Sequence, residues 1–201
     1  MERIIFLNSP ALGRLYFVLL NPAQIVHPGN SMRTRVLLTD YAWSDLILER
    51  KILADAGADL IVAERSDAAS LAVAARDVDA IMTTWANVTS DVLAAAPRCR
   101  IVARLGIGLD NIDVSCCSQR GIPVTNVPDY CTNEVAEHTL ALLFAMARNI
   151  AYFHAASREG QYDIRAAPTM RRMAGQTLGI VGLGQIGTTV AEKASGLGLK
   201  V

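Results

Sequence analysis

The sequence predicts an α/β chain built on a parallel β-sheet, and three observations carry that reading. Short apolar runs alternate with helix-compatible segments from Arg35 onward, the pattern of successive βαβ units. Apolar residues make up 52% of the chain and aromatic residues only 5%, with Ala, Val, Ile and Leu abundant, as a sheet buried on both faces requires. Late in the chain an apolar run rich in β-formers, residues 177–181, leads into Gly182-x-Gly184-x-x-Gly187, and helix-compatible residues 188–194 follow. A glycine fingerprint alone is weak. Set between a strand and a helix it marks a dinucleotide-binding turn.

Residues 1–31 stand apart. Their apolar patches, residues 4–7 and 16–20, are broken by Asn8, Pro10, Gly13 and Arg14, so they suit neither a signal peptide nor a membrane span. We read them, His27 included, as a leader outside the folded domains. Met32 is the expected start of translation, because the residues after it open like the first strand of an α/β domain.

Val36, Leu37 and Leu38 form that strand. Residues 45–56 carry helical spacing at Leu46, Leu48 and Leu53 and end at Gly57, a residue suited to closing a helix. Residues 60–62 are the second strand, 68–75 a helix and 80–82 the third strand. Ser90 is placed to cap a short helix over 90–95, which stops before Pro97. Residues 100–103 are the fourth strand. Asp113 caps a helix over 114–119, Gly121 lies past its end, and 122–125 is the fifth strand. A turn cluster at 126–129 then separates this region from a long helix over 133–148. Apolar residues run almost all the way round that helix and predict burial on most sides. Glu134 and Glu137 near its start and Arg148 at its end suit the helix dipole. A polar stretch, 157–172, precedes the fingerprint strand.

Nineteen basic and nineteen acidic residues cancel with no basic stripe, which argues against a nucleic-acid partner. Cys99, Cys116, Cys117 and Cys131 show neither C-x-x-C spacing nor clustered histidines, so no zinc site is expected. The adjacent pair Cys116 and Cys117 reads as small packing residues on a helix, in a reduced cytoplasmic setting. His138 on the long helix reads as a packing residue and His154 as a surface one.

Each fingerprint glycine has a physical task. Gly182 permits the tight turn, Gly184 lets backbone approach a pyrophosphate, and Gly187 allows close packing of helix on strand. Phosphates would then meet free N–H groups at the positive end of a helix. A second glycine pair, Gly106 and Gly108, follows the fourth strand directly and leaves amides free for an oxyanion or carboxylate. Taken alone, those residues read equally as an ordinary strand-to-helix turn. The acidic residue that would hold a ribose is expected about 20 residues past the fingerprint. Val201 lies only fourteen residues past Gly187, so NAD is not distinguished from NADP, and we read the chain as truncated.

Taken in order, Gly106-x-Gly108-x-Asp110-Asn111-Ile112-Asp113, Gly121-Ile122-x-Val124-x-Asn126-Val127-Pro128, Ala136-Glu137-His138-Thr139 and the fingerprint form a pattern. It resembles the D-isomer-specific 2-hydroxyacid dehydrogenases across residues 35–201. Residues 126–131 are most similar to the branch of phosphoglycerate-dehydrogenase-like and C-terminal-binding-protein-like proteins. The resemblance implies two α/β lobes with the active site in the cleft between them. Residues 32–128 would be the first part of a flavodoxin-like substrate lobe, and residues 129–201 the start of a Rossmann NAD-binding lobe. By the same resemblance the amides of Gly106, Ile107 and Gly108 hold the substrate carboxylate, and Ile107 lies near the nicotinamide. Gly182, Gly184, Gln185, Ile186 and Gly187 hold the pyrophosphate.

The implied activity is reversible hydride transfer between NAD and a small 2-oxo/2-hydroxy acid, in a homodimer. The family's substrate-binding Arg and its His–Glu acid/base pair fall beyond the fingerprint. No catalytic residue is therefore assigned, and residues 1–201 alone are expected to be inactive. The alternatives are an NAD-sensing, corepressor-like binding protein and a non-catalytic fragment. One departure bears on substrate. Phosphoglycerate-specific members tend to carry Arg-Ser after the third strand, where this sequence has Met82-Thr83-Thr84-Trp85, which argues against 3-phosphoglycerate and leaves the substrate unassigned. Trp85 either narrows the cleft or simply packs.

Overall fold

The computed structural model describes residues 5–9, 13–17 and 33–201, in two compact units, Met1–Tyr130 and Cys131–Val201. Strands β1 (Ile5–Ser9) and β2 (Gly13–Phe17) form an antiparallel pair with Ile5 opposite Phe17. His27 and Met32 lie outside the described residues.

The first unit is organised by a five-stranded parallel sheet of β3 (Thr34–Leu38), β4 (Ala58–Val62), β5 (Ala80–Thr83), β6 (Val102–Arg104) and β7 (Val124–Thr125). Its strand order is β4-β3-β5-β6-β7, the flavodoxin-like order. Val36 lies beside both Leu60 and Ala80, and Val102 beside both Ile81 and Val124. The chain winds outward from β3 in both directions, so the winding reverses between β3 and β5.

Alternation along the strands explains the buried core. Leu37, Ile81 and Val102 face one side, where they meet Leu71 of α2 (Ala68–Ala74), Val92 and Leu93 of α3 (Ser90–Ala94) and Cys117 of α4 (Val114–Gln119). Val36, Leu38, Leu60 and Met82 face the other side, with Leu53 of α1 (Ile47–Asp55). Covering both faces is what makes the strands read as near-continuous apolar runs. Each fully buried Leu, Ile or Val contributes roughly 1.5–3 kcal/mol. Asp79 is 3% exposed at the opposite end of the sheet, held by Arg98 Nη2 at 2.8 and 3.0 Å and by the Arg35 amide at 2.9 Å.

Local hydrogen bonds set the helix ends. Thr89, not Ser90, caps α3: Thr89 is extended and its hydroxyl accepts from Val92 N at 3.4 Å, which leaves Ser90 as the first helical residue. Asp113 caps α4 as expected, accepting from Cys116 N at 2.8 Å. Gly57 and Gly121 adopt φ of +77° and +66° just past α1 and α4, a conformation that L side chains rarely take. Burial pushes the Cys117 thiol up to about 11, with Cys116 and Cys99 nearby adding to it, and burial raises Cys99 as well. These thiols are packing groups held protonated.

The second unit contains α5 (Thr132–Ala147), α6 (Ile150–Arg158), a 3-10 turn at Ile164–Ala166 and α7 (Gln185–Gly196). Its core is Ala136 and Leu140 of α5 against Val190 and Ala194 of α7, with Leu199. Lys193 pairs with Glu137 across the same two helices at 2.8 Å.

Three expectations are corrected here. Helix α5 buries only Ala136 and Leu140, while Leu142 is 53% and Met146 78% exposed, because α7 covers just one stripe of it. His138 is exposed on the uncovered side rather than packed. Residues 177–181 form no strand. Thr177 and Lys200 make a single parallel bridge, with Leu178 N on Lys200 O at 2.7 Å, and no further ladder flanks the run among the described residues. Strand character needs a partner on which to hydrogen-bond, and propensity alone does not supply one. Helix α6 is an element the sequence reading does not assign, since it falls between the long helix, which ends at Arg148, and the polar stretch that starts at Ser157.

Candidate functional site

Open parallel sheets bind ligands outside the carboxyl ends of their strands. In the first unit the loops after β3, β5, β6 and β7 meet there and are stitched together. Thr39 N donates to Met82 O (2.9 Å), Leu105 N to Thr83 O (2.8 Å), and Val88 N to Asn111 O (2.8 Å).

The glycine loop after β6 has all three of its carbonyls engaged. Val127 N donates to Gly106 O at 2.9 Å, Asn126 Nδ2 to Ile107 O at 2.7 Å, and Arg104 Nε to Gly108 O at 2.9 Å. In a trans peptide the C=O and the following N–H point opposite ways. Turning these carbonyls toward the protein therefore turns the amides of Ile107 and Gly108 away from it. The amides of Gly106, Ile107 and Gly108 donate to no group among the described residues. Free, aligned N–H groups of this kind form an anion-binding nest.

Arg104 backs the loop. Its guanidinium carbon lies 3.4 Å from where a Cβ on Gly106 would stand, and its Nη1 is buried without a hydrogen-bond partner among the described residues. A charge some 8 Å from a bound anion is worth roughly 2 kcal/mol at an effective dielectric of 20. Arg104→Met is therefore expected to weaken anion binding at this loop by about thirtyfold, read as the dissociation constant of a simple 2-oxo acid. An unchanged constant would show that the amides act alone.

Asp40, just past β3, ties the neighbouring loop in place. Its carboxylate accepts from Thr39 Oγ1 at 2.7 Å, Thr84 N at 3.0 Å and Trp85 N at 2.7 Å, while Thr84 Oγ1 donates to Asp40 O at 3.0 Å. Burial on its own would push this carboxyl up. The bonds from the Thr39 hydroxyl and the Thr84, Trp85 and Ala86 amides outweigh it and hold Asp40 below the ordinary Asp value. Thr83 Oγ1 and Asn111 Nδ2 both donate to Ala86 O at 2.8 Å, which closes the turn.

The second unit holds the other glycine turn. Gly182 adopts φ +94°, and Gly184 is the extended cap of α7, its carbonyl accepting the first helical bond from Thr188 N at 2.8 Å. The amides of Gln185, Ile186 and Gly187 donate to nothing among the described residues, as expected for a first turn without a side-chain cap. A Cβ on Gly187 would stand 2.1 Å from Gly182 O, so only hydrogen fits there. A Cβ on Gly184 would meet nothing within 4 Å, so that face of the turn is open to a ligand. Such a cradle suits a pyrophosphate.

The glycines singled out in the sequence thus fall into two cradles, one in each unit. The residues that aim the first one were missed. Asn126 and Asp40 act through side-chain bonds to backbone 19 to 45 positions away, and Arg104 through a bond to Gly108 four residues on, none of which the sequence pattern announces. The one available signal was position, since each sits at or just past the carboxyl end of a strand. His138 and His154 are both exposed on helices of the second unit.

Residues 41–181 match the profile of the D-isomer specific 2-hydroxyacid dehydrogenase catalytic domain. The chain is 34% identical over 168 residues to a D-3-phosphoglycerate dehydrogenase of Methanocaldococcus jannaschii, covering 83% of this chain and 31% of that protein. It is 40% identical over 130 residues to a glyoxylate reductase of Korarchaeum cryptofilum, covering 63% and 39%. Among solved structures, the TT0316 protein of Thermus thermophilus superposes with a TM-score of 0.73 at 27% identity, covering 83% of this chain and 54% of that one. The NAD complex of an NAD-dependent formate dehydrogenase from Staphylococcus aureus gives 0.72 at 26% identity, with the same coverage. The chain therefore spans about a third of the length of these curated relatives, and about half of these solved chains.

Proposed function

This chain belongs to the D-isomer-specific 2-hydroxyacid dehydrogenase family, and from that premise we propose that it forms the substrate-carboxylate and pyrophosphate cradles of an NAD-dependent oxidoreductase acting on the CH–OH group of a D-2-hydroxy acid. The observation that carries this reading is the pair of amide cradles, Gly106–Gly108 after a parallel strand and Gly182–Gly187 at a helix start, each with its carbonyls turned away or its side chains absent.

In this reading residues 32–128 belong to the substrate lobe and 129–201 to the cofactor lobe. The amides of Gly106, Ile107 and Gly108 hold the carboxylate of a 2-oxo acid, and Arg104 raises the positive potential behind them. Ile107, at the crest of the loop, lies near the nicotinamide. Gly182, Gly184 and Gly187 shape a turn on which the Gln185 and Ile186 amides receive the pyrophosphate. When bound, NAD supplies or accepts the hydride at the carbon that carries the oxygen. What these residues do is bind, orient and set the distance, which is the larger part of bringing two reactants to an effective encounter. No residue of this chain is assigned the proton transfer. The resemblance places the His–Glu pair and the substrate Arg past the fingerprint, so turnover by residues 1–201 alone is not expected.

NAD rather than NADP is the working assignment, a homodimer the working assembly, and a reducing cytoplasm the setting that accords with four free thiols. No helix among the described residues is long and apolar enough to cross a membrane. Calorimetric titration with NADH and NADPH tests the reading. Binding that Gly184→Ala weakens supports it, and absence of binding to either nucleotide overturns it. Nucleotide binding by the full-length protein without turnover on any 2-oxo acid would favour a nucleotide-sensing binding protein instead.

A further inference from the structure

We propose that the first unit selects a 2-oxo acid with an apolar side chain, and that Trp85 is the residue that sets this preference. The inference rests on the function proposed above and names its substrate class.

Charge comes first. The loops that follow β3, β5, β6 and β7, residues 39–46, 84–88, 105–112 and 126–130, contain Asp40, Asp45, Asp110 and Asp129 and no Lys or Arg. The cation at this end of those strands is Arg104, the last residue of β6, whose Nε is already on Gly108 O. Arg104 and three amides match one carboxylate. A second anionic group, and above all a phosphate with a charge of about −1.5 to −2, would find no further Lys or Arg in these four loops, and Arg65, in the loop after the edge strand β4, is already paired with Asp67 at 2.9 Å. The two hydroxyls next to β5 are already engaged. Thr83 and Thr84 are buried, with their Oγ1 atoms donated to Ala86 O and Asp40 O.

Shape comes second. Winding reverses between β3 and β5, and the crevice outside such a switch point is where open α/β sheets seat their ligands. The residues standing there are aromatic. Trp85, directly after β5, is 63% exposed, and Tyr41, directly after Asp40, is 40% exposed. Trp85 is pinned, since its own amide and that of Thr84 are both bonded to the Asp40 carboxylate. The β5–β6 pairing carries one bond into the loops, Leu105 N on Thr83 O at 2.8 Å, so the turn that holds Trp85 and the glycine loop start one strand spacing, about 5 Å, apart. A ligand whose carboxylate sits on the Gly106–Gly108 amides therefore extends its substituent past the neighbouring turn, whose backbone Asp40 fixes and which carries the exposed Trp85. An indole offers one of the largest apolar contact areas of any side chain, and a matched apolar group is worth about 10- to 200-fold in discrimination.

The chain's two tryptophans, Trp43 and Trp85, both lie at this end of the sheet, and their indole N–H resonances provide the readout. Trp43→Phe assigns the two signals. The protein is titrated with 4-methyl-2-oxopentanoate, glyoxylate and 3-phosphohydroxypyruvate. The Trp85 resonance is expected to shift with 4-methyl-2-oxopentanoate at a concentration at least tenfold below that needed for the other two acids. Trp85→Ala, read calorimetrically, should cut that ratio by about tenfold, and Trp85→Phe should restore part of it. Equal affinities, or tighter binding of the phosphorylated acid, overturn the proposal while leaving the carboxylate cradle standing. If none of the three acids binds, the proposal and the reading beneath it both fall.

Discussion

Gly187→Ala is expected to abolish nucleotide binding and to unfold the second unit, whereas Gly184→Ala weakens binding by about a hundredfold and leaves the fold intact. The two glycines lie three residues apart in one motif, yet the space around them differs in kind. A methyl group on Gly187 would stand 2.1 Å from Gly182 O, more than an ångström inside contact, and the obstructing atom is backbone. Helix α7 would have to withdraw from the turn. The core it would loosen is small, Ala136, Leu140, Val190, Ala194 and Leu199. Overpacking typically costs 1–3 kcal/mol; with backbone as the obstacle we expect about 3 kcal/mol, comparable to all the stability such a unit has.

On Gly184 the methyl meets nothing within 4 Å, and its φ of −81° suits any residue. Loss of the preferred cap residue costs under about 1 kcal/mol. Its methyl would, however, stand where a phosphate must approach, so NADH affinity should fall by on the order of a hundredfold, about 2.7 kcal/mol of lost contact. Amide hydrogen exchange of α7 separates the two variants from each other. If Gly184→Ala bound NADH normally, the turn would not be the pyrophosphate site.

Removing the Asp40 carboxylate has the second-largest expected effect. It accepts three bonds of 3.0 Å or less, two of them from the backbone of the turn that carries Trp85. Hydrogen bonds to a charged group contribute about 1.5–3 kcal/mol each, and water can replace part of this at a half-buried site. Asp40→Ala should therefore lower the stability of the first unit by about 3 kcal/mol. Asp40→Asn should cost about half as much, because its amide nitrogen would face the Trp85 N–H donor to donor.

The same residue carries a pH signature. Its folded value lies below 3.8, so the unfolded chain takes up its proton first as pH falls. The stability it contributes is fully present above the unfolded value near 4 and is lost as pH drops through the folded value. Urea unfolding at pH 7, 4 and 3 should show this acid slope in the wild type and a shallower one in Asp40→Asn. Identical slopes would mean that Asp40 is not responsible. Both variants should also release the Trp85 turn and blunt the preference for an apolar 2-oxo acid.

The elements that were legible in the sequence share one property: their signals are local. Residues 36–38, 60–62 and 80–82 alternate faces of one sheet, and Gly57 and Gly121 close helices through their own backbone freedom. Asp113 reaches an amide three residues away. The two glycine clusters were legible for the same reason, since each writes its turn in consecutive residues. Most of what was misread depended on something distant. The exposure of α5 turned on how much of it α7 covers, whereas the cap of α3 is a local choice between the adjacent hydroxyls of Thr89 and Ser90 that backbone conformation settled. The run 177–181 has strand composition and a single bridge, because a ladder is a property of two chains of backbone and not of one.

By itself, then, the sequence determined the fold class, the position of both glycine turns and the family, because hydrophobic period and glycine conformation act over a few residues. Tertiary structure alone decided which groups aim those cradles. Arg104 meets Gly108 within one loop, but Asn126 reaches Ile107 from the next strand, and Asp40 reaches Trp85 across 45 positions of chain. Only the folding of the sheet brings those atoms within 3 Å of each other, and a short-range, directional bond exists only once they are there.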